Sequence, residues 1–312
     1  MDGDARHPSR RKLLKCMTAA GAGTLWMVSG GVPRAFRLGL GGEALAAMPA
    51  GGFSFLQISD THIGFHGEAN PDSGVTLQQA VAMIGQLPQP PAMILHTGDV
   101  SHTSKEEQFA AAQDILNGAG PDIHYVPGEH DTIGDNGAAF FARFVKSPNT
   151  GGWYSFDQGG VHFVALVNVL NLKADGQGEL GHAQLEWLEK DLRAKSASTP
   201  IVVYAHMPLW PVYPAWGWGT GDAPKAIAYL KRFGSVTVLN GHIHQVVQKV
   251  EGNITFHTAL STAYPQPAPG QGGGPGPLKL PPEQLPAALG IRSLDYQPGQ
   301  RGPAIADRSL AT

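Results

Sequence analysis

Five short fragments of this chain carry carboxylates and imidazoles beside small residues. In chain order they are Asp60-Thr61-His62, Gly98-Asp99, Gly128-Glu129-His130-Asp131, Ala205-His206 and Gly241-His242-Ile243-His244. Each fragment follows a short apolar run of the kind that forms a buried strand. Imidazoles and carboxylates are common protein ligands of zinc, iron and manganese. The pattern therefore predicts a metal site at the carboxyl ends of several strands.

Two neighbouring cations would give such a site a definite chemistry. A pair about 3.5–4 Å apart acidifies a shared water and clamps phosphoryl oxygens, as phosphate-ester hydrolysis at neutral pH requires. One carboxylate must bridge the pair, and Asp99, at a strand end between flexible neighbours, is the natural candidate. Asp60 and His62 are two positions apart, as are His242 and His244. In extended backbone, each of these pairs is expected to point the same way.

In this ordered set of motifs, over about residues 53–260, the chain resembles the calcineurin-like metallophosphoesterases. The resemblance implies an α/β fold, a four-layer α/β/β/α sandwich of two mixed sheets with the metal site at strand carboxyl ends. It also implies two ligand sets that share one residue: Asp60, His62, Asp99 and His244 for one metal, and Asp99, Glu129, His206 and His242 for the other. By the same likeness, His130 would stabilise the transferring phosphoryl group or protonate the leaving oxygen.

Glu129 departs from the family pattern, in which the third motif is usually Gly-Asn-His followed by an acid. Glutamate adds a negative charge and one methylene to that position. As a ligand it should bind more tightly and favour a harder or more highly charged cation such as iron or manganese. In the alternative, Glu129 turns away and that metal is held weakly. We expect two divalent or trivalent ions, drawn from manganese, iron and zinc.

His102 lies three residues after Asp99, a spacing with more than one precedent. In the purple acid phosphatases, a ligand tyrosine has this spacing; in the protein serine/threonine phosphatases, an aspartate there orients the catalytic histidine. His102 could therefore bind metal, orient His130 or begin the following loop, and we rank a supporting role behind the ligands first. Because this position holds histidine and not tyrosine, a charge-transfer ferric site of the purple type is disfavoured.

Several residues after the first and fourth motifs are candidates for contact with substrate. His66 follows the first motif closely enough to touch a bound ligand. Four aromatic residues lie among Pro and Gly just after His206: Trp210, Tyr213, Trp216 and Trp218. A loop that leaves a metal ligand and presents aromatic faces could form one wall of a substrate groove, with Trp210 and Trp216 as its main contacts. A loop folded over the sheet edge fits the same positions equally well.

The elements between these motifs alternate and then give way to hairpins, which predicts an α/β sandwich with mixed sheets. Strands are predicted at 53–59, 92–96, 123–126, 153–157, 161–169, 201–205, 236–240, 246–250 and 254–258. Helices are predicted at 76–87, from a capping box at Ser104 and Glu107 to about Leu116, and at 181–195 and 223–232. Gly159-Gly160 is predicted to form a hairpin turn between two of these strands. Residues 265–282 are too rich in Pro and Gly for regular structure, and 289–294 is expected to return as one edge strand.

Residues 1–46 differ from the rest of the chain and read as a signal peptide. Ser9 to Lys15 resembles the twin-arginine export motif, an apolar stretch follows, and Ala44-Leu45-Ala46 suits signal cleavage. We therefore expect export by the twin-arginine machinery, folded, to the periplasm or beyond. In the alternative, residues 1–46 form a membrane anchor, but the stretch is short and contains four glycines, so no stable span is expected in the mature protein. The metallophosphoesterase domain is predicted at 47–264 and a Pro/Gly-rich extension at 265–312.

Charge and cysteine content exclude two classes of protein. Residues 1–46 contain seven of the 22 basic and three of the 25 acidic side chains, so the remainder carries a formal charge of −7. An acidic surface repels polyanions, and wrapping of nucleic acid is not expected. The single cysteine, Cys16, lies inside the predicted signal. The mature protein would therefore have neither disulfides nor thiolate metal sites.

The function expected from these features is hydrolysis of a small phosphoric ester by a metal-bridging hydroxide that attacks phosphorus in line. The chain shares a compact single-domain plan with bacterial cyclic-nucleotide phosphodiesterases, which favours diesters over monoesters. A metal-binding or interaction module that has lost catalysis is the alternative, and the presence of His130 counts against it. A metallo-β-lactamase-type site is disfavoured because Gln245 and Val246 follow His244. The sequence leaves the oligomeric state open.

Overall fold

The computed structural model describes residues 24–29, 32–37, 51–145, 147 and 151–311. Within the predicted signal it describes two antiparallel strands, β1 (Thr24–Ser29) and β2 (Val32–Arg37). These strands belong to a compact unit that ends at Ala47, and a second unit comprises Met48–Thr312. The twin-arginine motif and the cleavage site lie outside the described residues, so export stays a prediction. Among the described helices, none has both the length and the apolar character needed to cross a bilayer.

The second unit is built from two sheets, six α-helices and two short 3-10 helices (Glu129–Asp131 and Pro214–Trp216) in the part of the chain that the structure describes. The strands are β3 (Phe53–Ile58), β4 (Ile94–His96), β5 (Ile123–Tyr125), β6 (Tyr154–Gln158), β7 (Val161–Ala165), β8 (Ile201–Tyr204), β9 (Val236–Asn240), β10 (Gln248–Glu251), β11 (Ile254–Thr258), β12 (Gly290–Tyr296) and β13 (Ala304–Ser309). The helices are α1 (Ser73–Gly85), α2 (Glu106–Asn117), α3 (Ala138–Phe144), α4 (His182–Arg193), α5 (Ala223–Leu230) and α6 (Leu285–Ala288).

Both sheets are mixed, as the sequence predicts. The first has the order β13-β12-β3-β4-β5, with parallel pairing of β3, β4 and β5 and antiparallel pairing at β12 and β13. The second has the order β10-β11-β9-β8-β7-β6, with a parallel centre and an antiparallel strand at each edge. The parallel strands all end at the same side of their sheet, which brings the loops after them together.

Three hydrophobic cores confirm the four-layer arrangement. One lies between the first sheet and helices α1, α2 and α3, where Leu77 and Phe109 pack against strand residues such as Ile58. A second lies between the other sheet and helices α4 and α5. The third fills the space between the sheets, where Phe55 of β3 meets Phe163 of β7 with ring centroids 5.3 Å apart. Apolar burial on both faces of each sheet thus holds the strand ends in place.

Helix starts show where local sequence signals succeed and fail. Helix α1 begins three residues earlier than predicted because the Asp72 carboxylate caps it, accepting from the Gly74 N–H at 2.8 Å. The predicted capping box at Ser104 and Glu107 is wrong, since α2 starts at Glu106 without a side-chain cap. Ser104 has a left-handed backbone, with φ of 56°, and its hydroxyl donates to the His130 carbonyl at 2.7 Å instead.

The hairpin predictions are confirmed, although β7 and β10 are shorter than predicted. Gly159 and Gly160 both have positive φ and turn β6 into β7. Strand β7 ends at Ala165 rather than at 169 because the following backbone leaves the sheet, where the Val167 N–H donates to the Gln184 side chain. The closing hairpin forms from β10 and β11.

The last fifty residues are part of the fold. Residues 265–282 contain no helix or strand in the described structure, as predicted. The predicted edge strand at 289–294 is wrong in position: β12 lies between β3 and β13, so β13 is the edge. Buried Arg292 on β12 donates to Asp307 of β13, to Gln57 of β3 and to the Thr258 carbonyl. With three hydrogen bonds, the buried guanidinium group has the partners it needs, and it connects the C-terminal strands to both sheets.

Candidate metal centre

The predicted ligand residues come together where the central strands of both sheets end. Those from the first sheet follow β3, β4 and β5, and those from the second follow β8 and β9; the set is Asp60, His62, Asp99, Glu129, His206, His242 and His244. Five of the seven are buried, Glu129 and His242 being only partly so. The centre thus forms from residues that are up to 184 positions apart in the sequence.

The backbone at these residues is unusual. Asp60, His62, Asp99, His242 and His244 all have positive φ, between 40° and 68°. The expectation that extended backbone aligns Asp60 with His62, and His242 with His244, is therefore wrong; Asp60 and His62 still meet in one cluster, whereas His242 and His244 face different clusters. Left-handed backbone costs about 1–2 kcal/mol for a residue with a side chain. Its concentration here shows that the surrounding structure enforces tight turns at the metal ligands.

Glycines beside the ligands allow close packing of these turns. A Cβ on Gly128 would overlap the Asp99 carboxylate, and one on Gly241 would overlap the Ser59 hydroxyl and the Asp60 carboxylate. The sequence-based expectation of close backbone approach is confirmed at both positions.

The first cluster contains Asp60, His62, His244 and Asp99. The His62 Nε2 atom lies 3.3 Å from His244 Nε2 and 3.4 Å from Asp99 Oδ2. The His244 Nε2 atom lies 3.3 Å from Asp60 Oδ1. Ligand atoms about 2.1 Å from one ion, at tetrahedral or octahedral angles, are about 3.0–3.4 Å apart. These separations match the first coordination sphere of a single cation.

The second cluster contains Glu129, His206, His242 and again Asp99. The two Glu129 oxygens lie 2.8 Å from His206 Nε2 and 3.0 Å from His242 Nδ1. The Asp99 Oδ2 atom lies 3.3 Å from His206 Nε2. Glu129 thus faces the cluster and does not turn away from it. Because Asp99 Oδ2 approaches ligands of both clusters, its position fits a bridging role.

The hydrogen-bond inventory of these atoms supports the fit. Four buried atoms in the two clusters lack a partner with hydrogen-bond geometry: Asp60 Oδ2, Glu129 Oε2, His206 Nε2 and His242 Nδ1. A buried polar atom without a partner lowers the stability of the fold, and coordination to a pair of cations would remove that cost. The opposite ring nitrogens of two ligands are already committed, since His206 Nδ1 donates to the Thr97 carbonyl at 2.7 Å and His244 Nδ1 to the Tyr264 carbonyl at 2.6 Å. Their Nε2 atoms therefore present lone pairs to the centre.

The electrostatics agree with this donor set. Burial, followed by the rings of His130, His244 and His102, lowers the pKa of His62 well below its ordinary value, so this imidazole is neutral. Burial also lowers the pKa of His206, but Asp99 and Glu129 outweigh it and raise that pKa well above its ordinary value. The carboxylates around His206 thus attract positive charge, and a cation would replace the proton.

His130 lies beside the ligands and is held at two points. Its Nδ1 donates to the His102 carbonyl at 2.7 Å, and its backbone N–H donates to Asp99 Oδ1 at 3.0 Å. Burial lowers the pKa of His130, but Asp99, Glu129 and the His102 carbonyl outweigh it and raise the pKa above its ordinary value. A residue held this way can keep a proton on Nε2 and donate it to a bound anion.

His102 supports the site by two separate contacts. Its carbonyl, as described, holds His130, and its ring stacks on the His130 ring with centroids 5.0 Å apart. Its Nδ1 lies 3.4 Å from His62 Nδ1. The side chain of His102 thus faces a metal ligand, and the orientation of His130 comes from the backbone carbonyl.

Asp131 has a role that the sequence reasoning missed. Its carboxylate accepts from the N–H groups of Val100 and Ser101 at 2.9 and 2.8 Å, and from Gly128 at 3.0 Å. These bonds fasten the loop after β4 to the loop after β5, and so fix Asp99 relative to Glu129. The acid directly after His130 in the third motif was the available signal.

The ligands open into a cavity of about 340 Å³. It is lined by His62, Phe65, Asp99, His102, Glu129, His130, Trp216, Trp218, His242, His244, Tyr264, Gln266, Pro275, Gly276 and Pro277. None of these lining residues is a lysine or an arginine, so the cations and His130 must supply the positive charge for a bound anion. A larger depression of about 560 Å³, near Gly252 and Arg301, contains none of the ligands.

Two of the three predicted substrate contacts do not line this cavity. Trp216 does, together with Trp218. Trp210 is only 6% exposed and packs in the core against Phe256, with ring centroids 5.2 Å apart, so the prediction that it lines the groove is wrong. His66 is exposed outside the cavity, with its Nδ1 2.9 Å from the Pro71 carbonyl, and that prediction is wrong as well. The loop after His206 is irregular, so its sequence has no periodicity that would distinguish residues of the core from residues that line the cavity.

Comparison with known proteins gives a consistent result. Residues 53–246 match the model of the calcineurin-like phosphoesterase family. A 3′,5′-cyclic-nucleotide phosphodiesterase from Nostoc sp. is 26% identical over 218 residues, which are 68% of this chain and 79% of the relative. A 3′,5′-cyclic adenosine monophosphate phosphodiesterase from Haemophilus influenzae is 27% identical over 199 residues, 62% of this chain and 70% of the relative.

Two solved structures have the same fold at low sequence identity. A dimetal phosphatase from Danio rerio aligns with a TM-score of 0.57 at 14% identity, over 83% of this chain and 99% of the other. A purple acid phosphatase from yellow lupin, Lupinus luteus, aligns with a TM-score of 0.60 at 14% identity, over 83% of this chain and 52% of the other.

Proposed function

The chain belongs to the calcineurin-like phosphoesterase family, and from that premise we propose that it hydrolyses phosphodiesters with two bound metal ions. Family membership makes it a metallophosphoesterase, a hydrolase of phosphoric esters. The observation that carries the proposal is that two clusters of ligand atoms share Asp99 and open, beside His130, into one cavity. When bound, two cations supply Lewis acidity toward water and toward phosphoryl oxygens.

The residues of the chain divide the remaining work. The two clusters hold the ions at fixed positions, with Asp99 common to both. His130, held by the His102 carbonyl and by Asp99, keeps a proton available for a phosphoryl or leaving-group oxygen. Strand ends fixed by three cores keep these groups aligned, so little reorganisation is needed when substrate binds.

The charge and the shape of the cavity both favour binding of a phosphodiester over a phosphomonoester. A phosphodiester carries one negative charge and a monoester up to two, and no lysine or arginine lines the cavity to offset the second. The second ester group of a diester needs a surface to contact, and the partly exposed ring of Trp216 provides an apolar one, with the buried rings of Phe65 and Trp218 also in the lining. The Nostoc and Haemophilus relatives are both phosphodiesterases by name.

Metal identity follows from Glu129 in this proposal. A carboxylate in place of the usual amide adds an anionic oxygen to the second cluster, which favours manganese or iron over zinc. Metal analysis of the purified protein tests the assignment.

A comparison of two generic substrates tests the proposed activity. Protein loaded with manganese, iron or zinc in turn is assayed on bis(4-nitrophenyl) phosphate and on 4-nitrophenyl phosphate. We expect the higher kcat/KM on the diester. A higher value on the monoester would refute the diester preference, and no turnover with any metal would leave a metal-binding module instead.

We propose further that the protein is exported, folded, by the twin-arginine route to the periplasm or beyond. The support is the sequence of residues 1–46 alone. Fractionation of cells that express the parent or the double variant Arg10→Lys, Arg11→Lys tests it. The parent is expected outside the cytoplasm and the double variant inside, with Arg6→Lys as the control that behaves like the parent.

A further inference from the structure

Tyr264 lies at the start of the Pro/Gly-rich segment and is fastened to the metal centre by its backbone. Its carbonyl accepts from His244 Nδ1 at 2.6 Å. Its N–H donates to the Ser261 hydroxyl at 3.2 Å, which in turn donates to the Asp60 carbonyl at 2.7 Å. The residue is therefore fixed to two of the fragments that carry metal ligands.

The ring of Tyr264 is also held on several sides. It lies against Phe65 with centroids 4.5 Å apart, and it stacks on His62 at 4.8 Å with an interplanar angle of 28°. His244 contacts it at 4.7 Å. The residue is only 3% exposed, yet it lines the cavity. These contacts leave the hydroxyl little freedom to turn away from the centre.

The hydrogen-bond partner of that hydroxyl is the central observation. Tyr264 Oη lies 3.2 Å from His62 Nε2, and among the described residues no carboxylate oxygen is within hydrogen-bond reach of it. The same His62 Nε2 is one of the ligand atoms of the first cluster. The other nitrogen of this ring, Nδ1, faces His102 Nδ1 at 3.4 Å.

If His62 Nε2 held a metal ion, its lone pair would no longer be free to accept from Tyr264. A buried hydroxyl donor without an acceptor is costly, so the proton must find another partner. The space that remains is the cavity, where no lysine or arginine is present to bind an anion. His130 and Tyr264 both pack against the His62 ring, with centroids 4.7 and 4.8 Å away, so each presents a polar group beside the same ligand.

We propose that Tyr264 is a substrate-contacting residue whose hydroxyl donates a hydrogen bond to a non-bridging oxygen of the bound phosphoryl group. The proposal rests on the proposed function for the substrate class, and inorganic phosphate has the same tetrahedral oxyanion. A hydrogen bond to a charged group contributes about 1.5–3 kcal/mol, which corresponds to at least a tenfold change in affinity.

The test compares the metal-loaded parent with Tyr264→Phe, which keeps the ring and removes only the hydroxyl. Inorganic phosphate binding is measured by calorimetry, bound metal by elemental analysis, and kcat/KM on bis(4-nitrophenyl) phosphate. We expect phosphate affinity and kcat/KM to fall about tenfold or more while metal content is unchanged. Tyr229→Phe is the matched control, since Tyr229 lies on helix α5, packs against the core beside the second sheet and does not line the cavity, and it should leave all three values unchanged.

Two outcomes would overturn the proposal. Unchanged phosphate affinity in Tyr264→Phe would show that the hydroxyl does not contact the anion. Loss of one metal ion, or loss of a phenolate-to-iron absorption band from iron-loaded protein, would make Tyr264 a ligand instead of a donor. Because phosphate binding is measured without turnover, a parent that hydrolyses no ester refutes the proposed function and leaves the role of Tyr264 still measurable.

Discussion

The metal-ligand rim and the outer wall of the same cavity are built in different ways. The rim consists of short turns directly after buried strands, with left-handed backbone at five ligands and cross-links such as Asp131 between loops. The wall consists of two irregular segments, around Trp216 and from Tyr264 to Pro277.

The two segments of the wall are held differently: backbone hydrogen bonds, such as Trp218 N–H to the Tyr213 carbonyl, hold the first, and side chains that bond to backbone hold the second. Gln266 Nε2 donates to the His242 carbonyl at 2.8 Å, and Gln245 Nε2 donates to the carbonyls of Gln266 and Pro267. Such a wall can change in sequence without disturbing the strands below it. We therefore expect the rim to determine whether the reaction occurs and the wall to influence which ester is bound.

The largest effect is expected from the shared ligand of the rim. Asp99→Asn removes the charge that faces both clusters, so we expect turnover to fall to the background rate and metal content to fall below that of the parent. Elemental analysis and the diester assay measure the two effects. Asp114→Asn, an exposed change on helix α2, is the control and should match the parent. Normal rates with full metal occupancy in Asp99→Asn would refute the bridging role.

His130 separates proton donation from metal binding within the rim. His130→Ala should lower kcat by about 10²–10⁴-fold, the usual range for a general acid, while metal content is unchanged. The pKa of His130 is raised, so its protonated form persists to higher pH than for an ordinary histidine. Activity that needs this acid is present below the raised pKa and is lost as pH rises through it.

A pH–rate profile checks the role of His130. The parent should lose activity on the alkaline side, and His130→Ala should lack that pH-dependent decrease. An alkaline limb that persists unchanged in the variant would assign the titration to another group.

Glu129 is the one ligand of the rim that departs from the family pattern. Glu129→Asn removes one negative charge from the second cluster, so we expect weaker binding of the second ion, by about 10–100-fold, and a shift of preference toward zinc. Competition for manganese, iron and zinc, followed by elemental analysis, measures both. Unchanged preference would mean that Glu129 does not bind the metal.

The ligand residues of the rim could be predicted from the sequence because each of them lies within a short local motif. A strand that ends in Asp-x-His or Gly-Asp identifies both an element and a ligand, and parallel strands bring their ends together. The backbone conformation at those ligands could not be predicted, because the left-handed φ at Asp60 or His242 depends on the loops packed around them. Ser104 illustrates the same limit, because its hydroxyl bonds to His130 in a distant loop.

The residues of the wall could not be predicted from the sequence, because only tertiary contacts bring them to the cavity. Tyr264 lies twenty positions after His244, in a segment without periodicity, and only the fold shows that it reaches His62. Strand β13 was missed for a related reason: only three of its six residues are apolar and none is buried, as an edge strand exposed to solvent allows. Irregular segments whose positions depend on the rest of the fold thus account for most of the errors.

Two of the three tryptophans that follow His206, Trp210 and Trp216, give the smallest expected effect on catalysis and the sharpest contrast. Trp216 lines the cavity, so Trp216→Ala should raise KM for bis(4-nitrophenyl) phosphate by several-fold and leave kcat near the parent value, because it removes contact with the second ester group only. Trp210 lies in the core beside Phe256, so Trp210→Ala should lower the free energy of unfolding by about 3–5 kcal/mol and leave KM of the remaining folded protein unchanged. Steady-state kinetics and denaturant unfolding on both variants measure the pair. Equal effects of the two substitutions on KM would show that wall and core are not separate at this loop, and the distinction between rim and wall would then fail.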